Sequence, residues 1–398
     1  MFLRASLFLV AAAPALFAQQ PVTRAQAVAA ALARGARAAF GRADSAGAAG
    51  ALHGARLYPN PLLSATYTKD VPHYHVIADL PLDLPWIRAA RIGAAASARD
   101  VVRYDVAFER AAIVFDVDTA YTRALAARAH AQLSHRNAVA ADSLRKMAQL
   151  RREVGDVSEL DVNLAAVNAG QLENVAADDS LAAIDALVAL QLAMGLPGDA
   201  VTIALVDSLA PPPPSGTVPA APEVPLPVAA AAASVRASEQ ALALAHRSVL
   251  ATPSLQFGVE QGDPTGPGGS LPTVGLSLPF PLFNWNGGEV AQAAAARDRA
   301  RATLDLVQRE TGAELARARR GFTVALARVE RSRRLLASAD RVAAMSLQAY
   351  AEGAIPLAAV LEAQRNGREA LGRYIDDVAA ANDAAAALRL ATASAAEP

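Results

Sequence analysis

The sequence predicts a mainly helical chain that carries a small β portion and is built twice over. Three observations lead there. Prolines break helix interiors. Here they gather at 59–85, 197–227 and 253–281 and leave long proline-free stretches between. Within residues 61–84 and 253–281, apolar and polar residues alternate with a period of two, the mark of strands with one covered face. The two halves also match. Leu84-Pro85-Trp86 aligns with Phe280-Pro281-Leu282 at an offset of 196, and Glu153–Val162 aligns with Ala351–Val360 at an offset of 198. A period near half the chain is an internal duplication.

The chain is expected to open with a signal peptide at 1–18. Arg4 supplies its positive start, Ser6–Phe17 its apolar run, and Ala18 the small residue before the cut. Residues 19–210 then form the first repeat, 211–227 an extended proline-rich linker, and 228–398 the second repeat. In the first repeat Thr23 is set to cap a helix running over Val22–Gly54. Leu63, Ala65 and Tyr67 alternate with polar residues, and so do Tyr74, Val76, Ala78, Leu80 and Leu82. Together they predict a hairpin with strands of about 9–11 residues, the span a tilted strand needs to cross a bilayer. The second repeat returns the pattern at Leu255, Phe257 and Val259, with a loop over Gly262–Pro272 and a last strand through Val274, Leu276, Leu278 and Phe280.

Each hairpin feeds a very long Ala-rich helix, one from near Ala89 and one from Gly288 to Tyr350. Leu304, Val307, Leu315, Ala318, Phe322 and Val329 recur at steps of three, four or their sums, an apolar seam of coiled-coil type. Gly155 and Gly353 interrupt the two helices, and new helices follow over Ser158–Met194 and Pro356–Ala393. Each glycine is the turn of an antiparallel helical hairpin.

Composition excludes several roles. A net charge of −1 and a pI near 6.6 argue against a nucleic-acid partner. The chain has no cysteine, so it makes no disulfide and carries no lipid-modified cysteine. After the signal no apolar run is long enough for a membrane-crossing helix, so entry into lipid has to use β-strands. Four strands alone would leave two open edges, which lipid does not tolerate, so several copies must close the sheet. No HExxH, GxSxG, phosphate loop or convergent acidic cluster supports an enzyme or a cofactor. Gly287-Gly288 lacks the following Gly-Lys-Ser/Thr and reads as a turn. His73 and His75 share a strand side, but two ligands are too few for a specific metal site. Trp86 and Trp285 each follow the last strand of a hairpin, where aromatics anchor at a membrane interface.

These residues resemble the TolC-like outer-membrane efflux proteins, the outer-membrane factors, and particularly their shorter metal and drug efflux members. The resemblance is carried by Pro-Asn-Pro-Leu at Pro59–Leu62, by Leu-Pro-Phe-Pro-Leu-Phe at Leu278–Phe283, by the twin glycine turns, and by YAEGAIPLAAVLEAQRNGREAL at Tyr350–Leu371. It implies a homotrimer in which four strands per protomer contribute to a twelve-stranded barrel in outer-membrane lipid. The helical hairpins would continue it as an α-barrel in the periplasm of a Gram-negative cell. The implied function is the passive exit duct of a tripartite efflux system, with a periplasmic adaptor (membrane fusion) protein and an inner-membrane pump of the RND type as partners. Val154, Gly155, Val157, Leu160, Gly353, Ile355 and Leu357 would then form the adaptor-docking tips. Glu362 would form the constriction with Arg365 or Arg368 as its partner, although the family's second acid, three residues earlier, is here Ala359. Asp161 follows the other turn and reads as a helix-start charge. The competing reading is a coiled-coil spacer or adhesin of the envelope, which leaves an apolar strand face unexplained.

Overall fold

Four strands, β2 (Leu62–Tyr67), β3 (Tyr74–Pro81), β5 (Ser254–Gln261) and β6 (Ser270–Ser277), form one antiparallel sheet in the order β2-β3-β5-β6. The computed structural model describes residues 19–213, 224–249, 252–262 and 269–394. The expected signal peptide and residues 214–223 of the expected linker lie outside them. Two compact units are present, each drawn from both halves of the sequence.

The unit holding the sheet comprises residues 36–113, 215–321 and 387–398. Its strands have six, eight, eight and eight residues, shorter than the expected 9–11. The proline and threonine chemistry at their ends explains the difference. Pro61 precedes β2, and past Tyr67 the Thr68 N–H still donates to the His73 carbonyl at 2.8 Å while its hydroxyl closes the turn on the carbonyls of Asp70 and Pro72. β6 stops at Ser277, opposite Ser254, so Leu278 and Phe280 lie past the paired strand. Pro279 and Pro281 have no N–H to extend a ladder. At the other end Ser270–Pro272 pair with Val259–Gln261, so the expected loop over 262–272 is narrower. The Gly262 N–H closes it on the Gly269 carbonyl at 2.7 Å.

The expected helix over Val22–Gly54 is two helices, α1 (Arg24–Arg34) and α2 (Ala36–Arg56). Thr23 caps the first, in a capping box with Gln26. Gly35 is extended between them, and a Cβ there would run into the Ala31 carbonyl oxygen. α3 (Pro85–Glu153) follows the first hairpin and α6 (Gly287–Ala351) the second. At 1.5 Å per residue each is about 100 Å of helix. α5 (Leu226–Arg247) precedes the second hairpin and begins at Pro225, inside the expected linker.

The other unit comprises residues up to 35, 114–214 and 322–386. Here β1 (Gln20–Val22) pairs in parallel with β4 (Ile203–Leu205), a pairing the sequence does not announce. α4 (Glu159–Ala193) and α7 (Leu357–Ala391) return from the glycine turns. Leu144, Ala148, Ala165, Tyr350, Leu357 and Val360 form one buried cluster, joining α3, α4, α6 and α7 beside the turns. Burying each large side chain there contributes about 1.5–3 kcal/mol. In α6, Leu304, Val307, Leu315 and Ala318 are half-buried and Phe322 and Val329 buried, while Arg309, Arg317, Arg320 and Arg331 are exposed.

Candidate functional site: the sheet, its junctions and the helical turns

The strand register sorts the sheet into two chemically distinct faces. Tyr67 pairs with Tyr74, Ala65 with Val76 and Leu63 with Ala78. Val76 then pairs with Val259, Ala78 with Phe257 and Leu80 with Leu255, and these continue to Pro272, Val274 and Leu276. Directly paired residues share a face, so this side is apolar across all four strands except at the hairpin end, where Tyr74 continues to Gln261 and Ser270. Its Tyr67, Tyr74, Phe257, Val259, Val274 and Leu276 are exposed. The opposite face carries Ser64, Thr66, His75, Asp79, Gln256, Glu260, Thr273 and Ser277, with Leu62, Ile77, Pro81 and Leu271 among them. Polar contacts hold it together. Gln256 Nε2 donates to Asp79 Oδ1 at 2.6 Å, and His75 Nδ1 lies 3.4 Å from Glu260 Oε1. His73 and His75 lean on Thr68 through its carbonyl and hydroxyl. Among the described residues no group of three or more His, Cys, Asp or Glu is placed to hold a metal. Likewise no described helix is long and apolar enough to cross a membrane.

Aromatic residues mark both ends of the sheet. Tyr67 and Tyr74 sit at the hairpin end, ring centroids 5.3 Å apart. At the helix end Trp86 and Trp285 are exposed, together with Phe280, Leu282 and Phe283, the last 98% exposed.

The first strand-to-helix junction contains an ionic clasp that sequence reasoning missed. Arg91 donates to both carboxylate oxygens of Asp83, at 3.1 and 2.8 Å, and also to the carbonyls of Ala55 and Leu57. Arg88 donates to the Arg56 carbonyl at 2.8 Å and stacks on Tyr58, while its Nε stays 3.6 Å from Asp83, beyond hydrogen-bond reach. The Asp83 side chain is 3% exposed. One buried carboxylate thus fixes the end of α2 to the start of α3. The available signal was Asp83 just before a helix with arginines at 88 and 91, but it does not name the carbonyls they reach. The second junction is built differently. Asn286, at φ 60°, donates its side-chain amide to the Ala245 carbonyl at the end of α5.

In the other unit the turns are as expected in backbone and mixed in exposure. Gly155 has φ 80° and Gly353 φ 76°, the left-handed region that glycine adopts without a Cβ penalty. Val154 is 79% and Leu160 66% exposed. Val157 and Ile355 are half-buried. Leu357, expected among the solvent-facing tip residues, is 1% exposed. It follows Pro356 at the start of α7 and points into the cluster around Tyr350. Ser158 caps α4 in a capping box whose returning group is Asp161.

Glu362 is exposed on α7. Its carboxylate lies 4.0 Å from Arg365, whose Nε donates more closely to Glu369 at 3.1 Å. Arg368 does not pair with Glu362. It is half-buried, and burial pulls its guanidinium below the ordinary arginine range, with Arg365 adding to the effect and Glu369 opposing it.

A polar cluster around α1 was also missed. Tyr121 is fully buried and donates to the Val22 carbonyl at 2.9 Å. Burial, with Asp207 beside it, pushes its hydroxyl up to about 12. Arg24 lies over that ring and donates to Thr122 and the Asp118 carbonyl. Arg128 donates to the carbonyls of Leu205 and Asp207, tying β4 to α3. Asp383 on α7 keeps a buried Oδ1 without a hydrogen-bond partner. Burial raises its carboxyl, while Arg123 and Arg24 counter this.

Solved structures share this arrangement over nearly the whole chain. A membrane protein from Pseudomonas aeruginosa is 19% identical, with a TM-score of 0.80 and 93% of each chain covered. The outer membrane protein VceC from Vibrio cholerae is 16% identical, with a TM-score of 0.76, covering 93% of this chain and 96% of that one. The Campylobacter jejuni CmeC outer membrane channel is 14% identical, with a TM-score of 0.78, covering 93% and 85%. No curated protein sequence matches the chain. The fold is therefore that of the outer-membrane channels. Residues 225–394 also match the model for the outer membrane efflux protein. With the shared fold, this match supports a place for the chain among the TolC-like outer-membrane efflux proteins.

Proposed function

We propose that this chain is the outer-membrane exit duct of a tripartite efflux system, acting as a conduit and not as an enzyme. The observation that carries the reading is the two-faced sheet. A face that is apolar over four strands suits lipid, and a face of Ser, Thr, His, Asp, Gln and Glu suits water. β2 and β6 each have an unpaired edge in the single chain. Lipid tolerates no such edge. Copies of the sheet joined edge to edge remove it, and a homotrimer gives the twelve-stranded barrel of outer-membrane lipid that the family implies. Twelve strands enclose a lumen, not a packed interior.

The helices then form the periplasmic α-barrel. In this reading the chain is two structural repeats, 19–210 and 228–398, behind a signal peptide at 1–18 and joined by the linker at 211–227. Trp86 and Trp285 anchor the interface. Val154, Gly155, Val157, Leu160, Gly353 and Ile355 present the docking surface for a periplasmic adaptor served by an inner-membrane pump of the RND type. Glu362 and Arg365 form the constriction.

Carbonate washing of membranes from cells making the full chain tests the reading. The duct stays in the membrane fraction and conducts in planar bilayers. Release into buffer with no conductance would favour an envelope spacer instead.

A further inference from the structure

We propose that the four helices beside the glycine turns hold a binding site for a small carboxylate with a short apolar tail, headed by Arg368. Such a site is independent of whether the chain assembles into a duct.

A cavity of about 90 Å³ lies among α3, α4, α6 and α7. Asn137 of α3, Asn168 of α4, and Gln364 and Arg368 of α7 line it, and no acid does. Gln364 and Arg368 are four apart and so share one face of α7. All four polar side chains are half-buried. Among the described residues none of the four makes a hydrogen bond or an ion pair. Polar groups drawn out of water are normally paired. Four unpaired ones around one small space form a ready set of N–H donors.

Arg368 sets the sign of the ligand. Burial pulls its guanidinium below the ordinary arginine range, so its charged form already bears a desolvation cost. Arg365 adds positive charge beside it. Glu369 is the carboxylate that acts on it, but Arg365 holds that group at 3.1 Å and Arg373 lies 3.8 Å from it. An anion in the cavity would offset the cost. The planar guanidinium fork matches a carboxylate in bidentate fashion. The side-chain amides of Asn137, Asn168 and Gln364 can donate to the remaining lone pairs.

Size and floor narrow the choice. Leu144 and Leu347 form part of the cavity wall. An apolar wall suits a short hydrocarbon chain and disfavours sulfate or phosphate, which carry charge on every side. The volume equals that of about three waters at ~30 Å³ each. That takes a carboxylate and a few carbons. Pockets for drug-sized molecules run to about 300–1,000 Å³, so an exported drug is too large for this one. A carboxylate held here would tie the two helical hairpins together, through Asn137 and Asn168 of one and Gln364 and Arg368 of the other.

Butyrate is the probe. With the full chain in detergent, saturation-transfer NMR should show the butyrate methyl in contact with protein, and the signal should saturate. The unfolding temperature should rise with butyrate concentration, as mass action requires of a ligand that binds the folded state. Arg368→Met should weaken binding about tenfold or more, the loss of a charge-assisted hydrogen bond. Gln364→Leu should weaken it several-fold and carries the test should Arg368→Met disturb folding, which circular dichroism reads. No saturable signal, or an equal signal from both variants as uptake by the micelle would give, overturns the site. Sulfate competing as well as butyrate overturns the assignment to a carboxylate. Both readouts work on the chain in any oligomeric state, so failure of the duct reading leaves this result standing.

Discussion

Arg151 lies over the ring of Tyr350, its guanidinium carbon 4.9 Å from the ring centroid, and donates from Nη1 to the Tyr350 carbonyl oxygen at 3.2 Å. Asp156 holds the other side of the same guanidinium at 2.7 Å. The pair therefore joins the last turn of α3 to the last turn of α6 and holds both hairpins at one height. Tyr350 belongs to the buried cluster there. Tyr350→Ala should cost about 3–5 kcal/mol, the usual cost of deleting a buried aromatic. Tyr350→Phe keeps the ring and the carbonyl and should stay within about 1 kcal/mol. Denaturant unfolding in detergent checks both, and equal losses would remove the ring from this account.

The glycine turns should matter to docking more than to folding. A Cβ at Gly155 or Gly353 would meet nothing within 4 Å, so only the left-handed backbone opposes a side chain. That strain is about 1–2 kcal/mol, and Asp tolerates the region better than most residues. Gly155→Asp and Gly353→Asp should insert into the membrane normally and lose dye efflux in cells supplied with the adaptor and pump. Normal transport by either variant would move the docking surface elsewhere.

The clasp at Asp83 should be sensitive to loss of one partner and tolerant of losing both. Arg91→Leu leaves a buried carboxylate facing only Arg88 at 3.6 Å. Breaking a buried pair from one side costs about 3–5 kcal/mol, whereas replacing both members by apolar residues is often near neutral. Asp83→Leu combined with Arg91→Leu should therefore recover most of the loss in thermal unfolding.

Asp383 gives a pH signature. Its carboxyl is raised above the ordinary aspartate value by burial. The folded state then holds a proton more tightly than the unfolded one, so this group's contribution falls as pH rises through the window above the ordinary value. Asp383→Asn should raise the melting temperature at pH 7. The difference should shrink as pH drops below the ordinary aspartate value, and a constant difference across that range would assign the gain to something other than the proton.

At the proposed constriction, Glu362→Ala should change conductance and weaken block by multivalent cations in planar bilayers. The contact to Arg365 is long, at 4.0 Å, and both side chains are well exposed. Charge carried by such groups acts on ions in the lumen more than on stability. Unaltered block would put Glu362 on an outer, solvated face.

The parts of this molecule legible in its sequence are those written as local periodicity. Period-two alternation gave the four strands and their apolar face, and Gly155 and Gly353 gave the turns because a left-handed residue is specified by one position. What stayed hidden depends on distant partners. β1 pairs with β4 across more than 180 residues through three residues each, too short to show a pattern. The break at Gly35 sits in an Ala-rich run that reads as unbroken helix. Arg88 and Arg91 act on backbone carbonyls of α2, which no side-chain motif encodes. Leu357 was misread because being near a turn does not fix the direction in which a helix's first residue points.

The apolar face of the sheet has a consequence before the protein reaches its destination. On the duct reading, a newly exported copy has to cross an aqueous compartment with Tyr67, Val76, Phe257, Val274 and Leu276 on one side and two unpaired strand edges. Those are the features that drive indiscriminate strand addition. The polar face, β2's six residues and the prolines flanking the strands slow that process but do not abolish it. On that reading transit calls for an escort that covers these strands until their edges are paired.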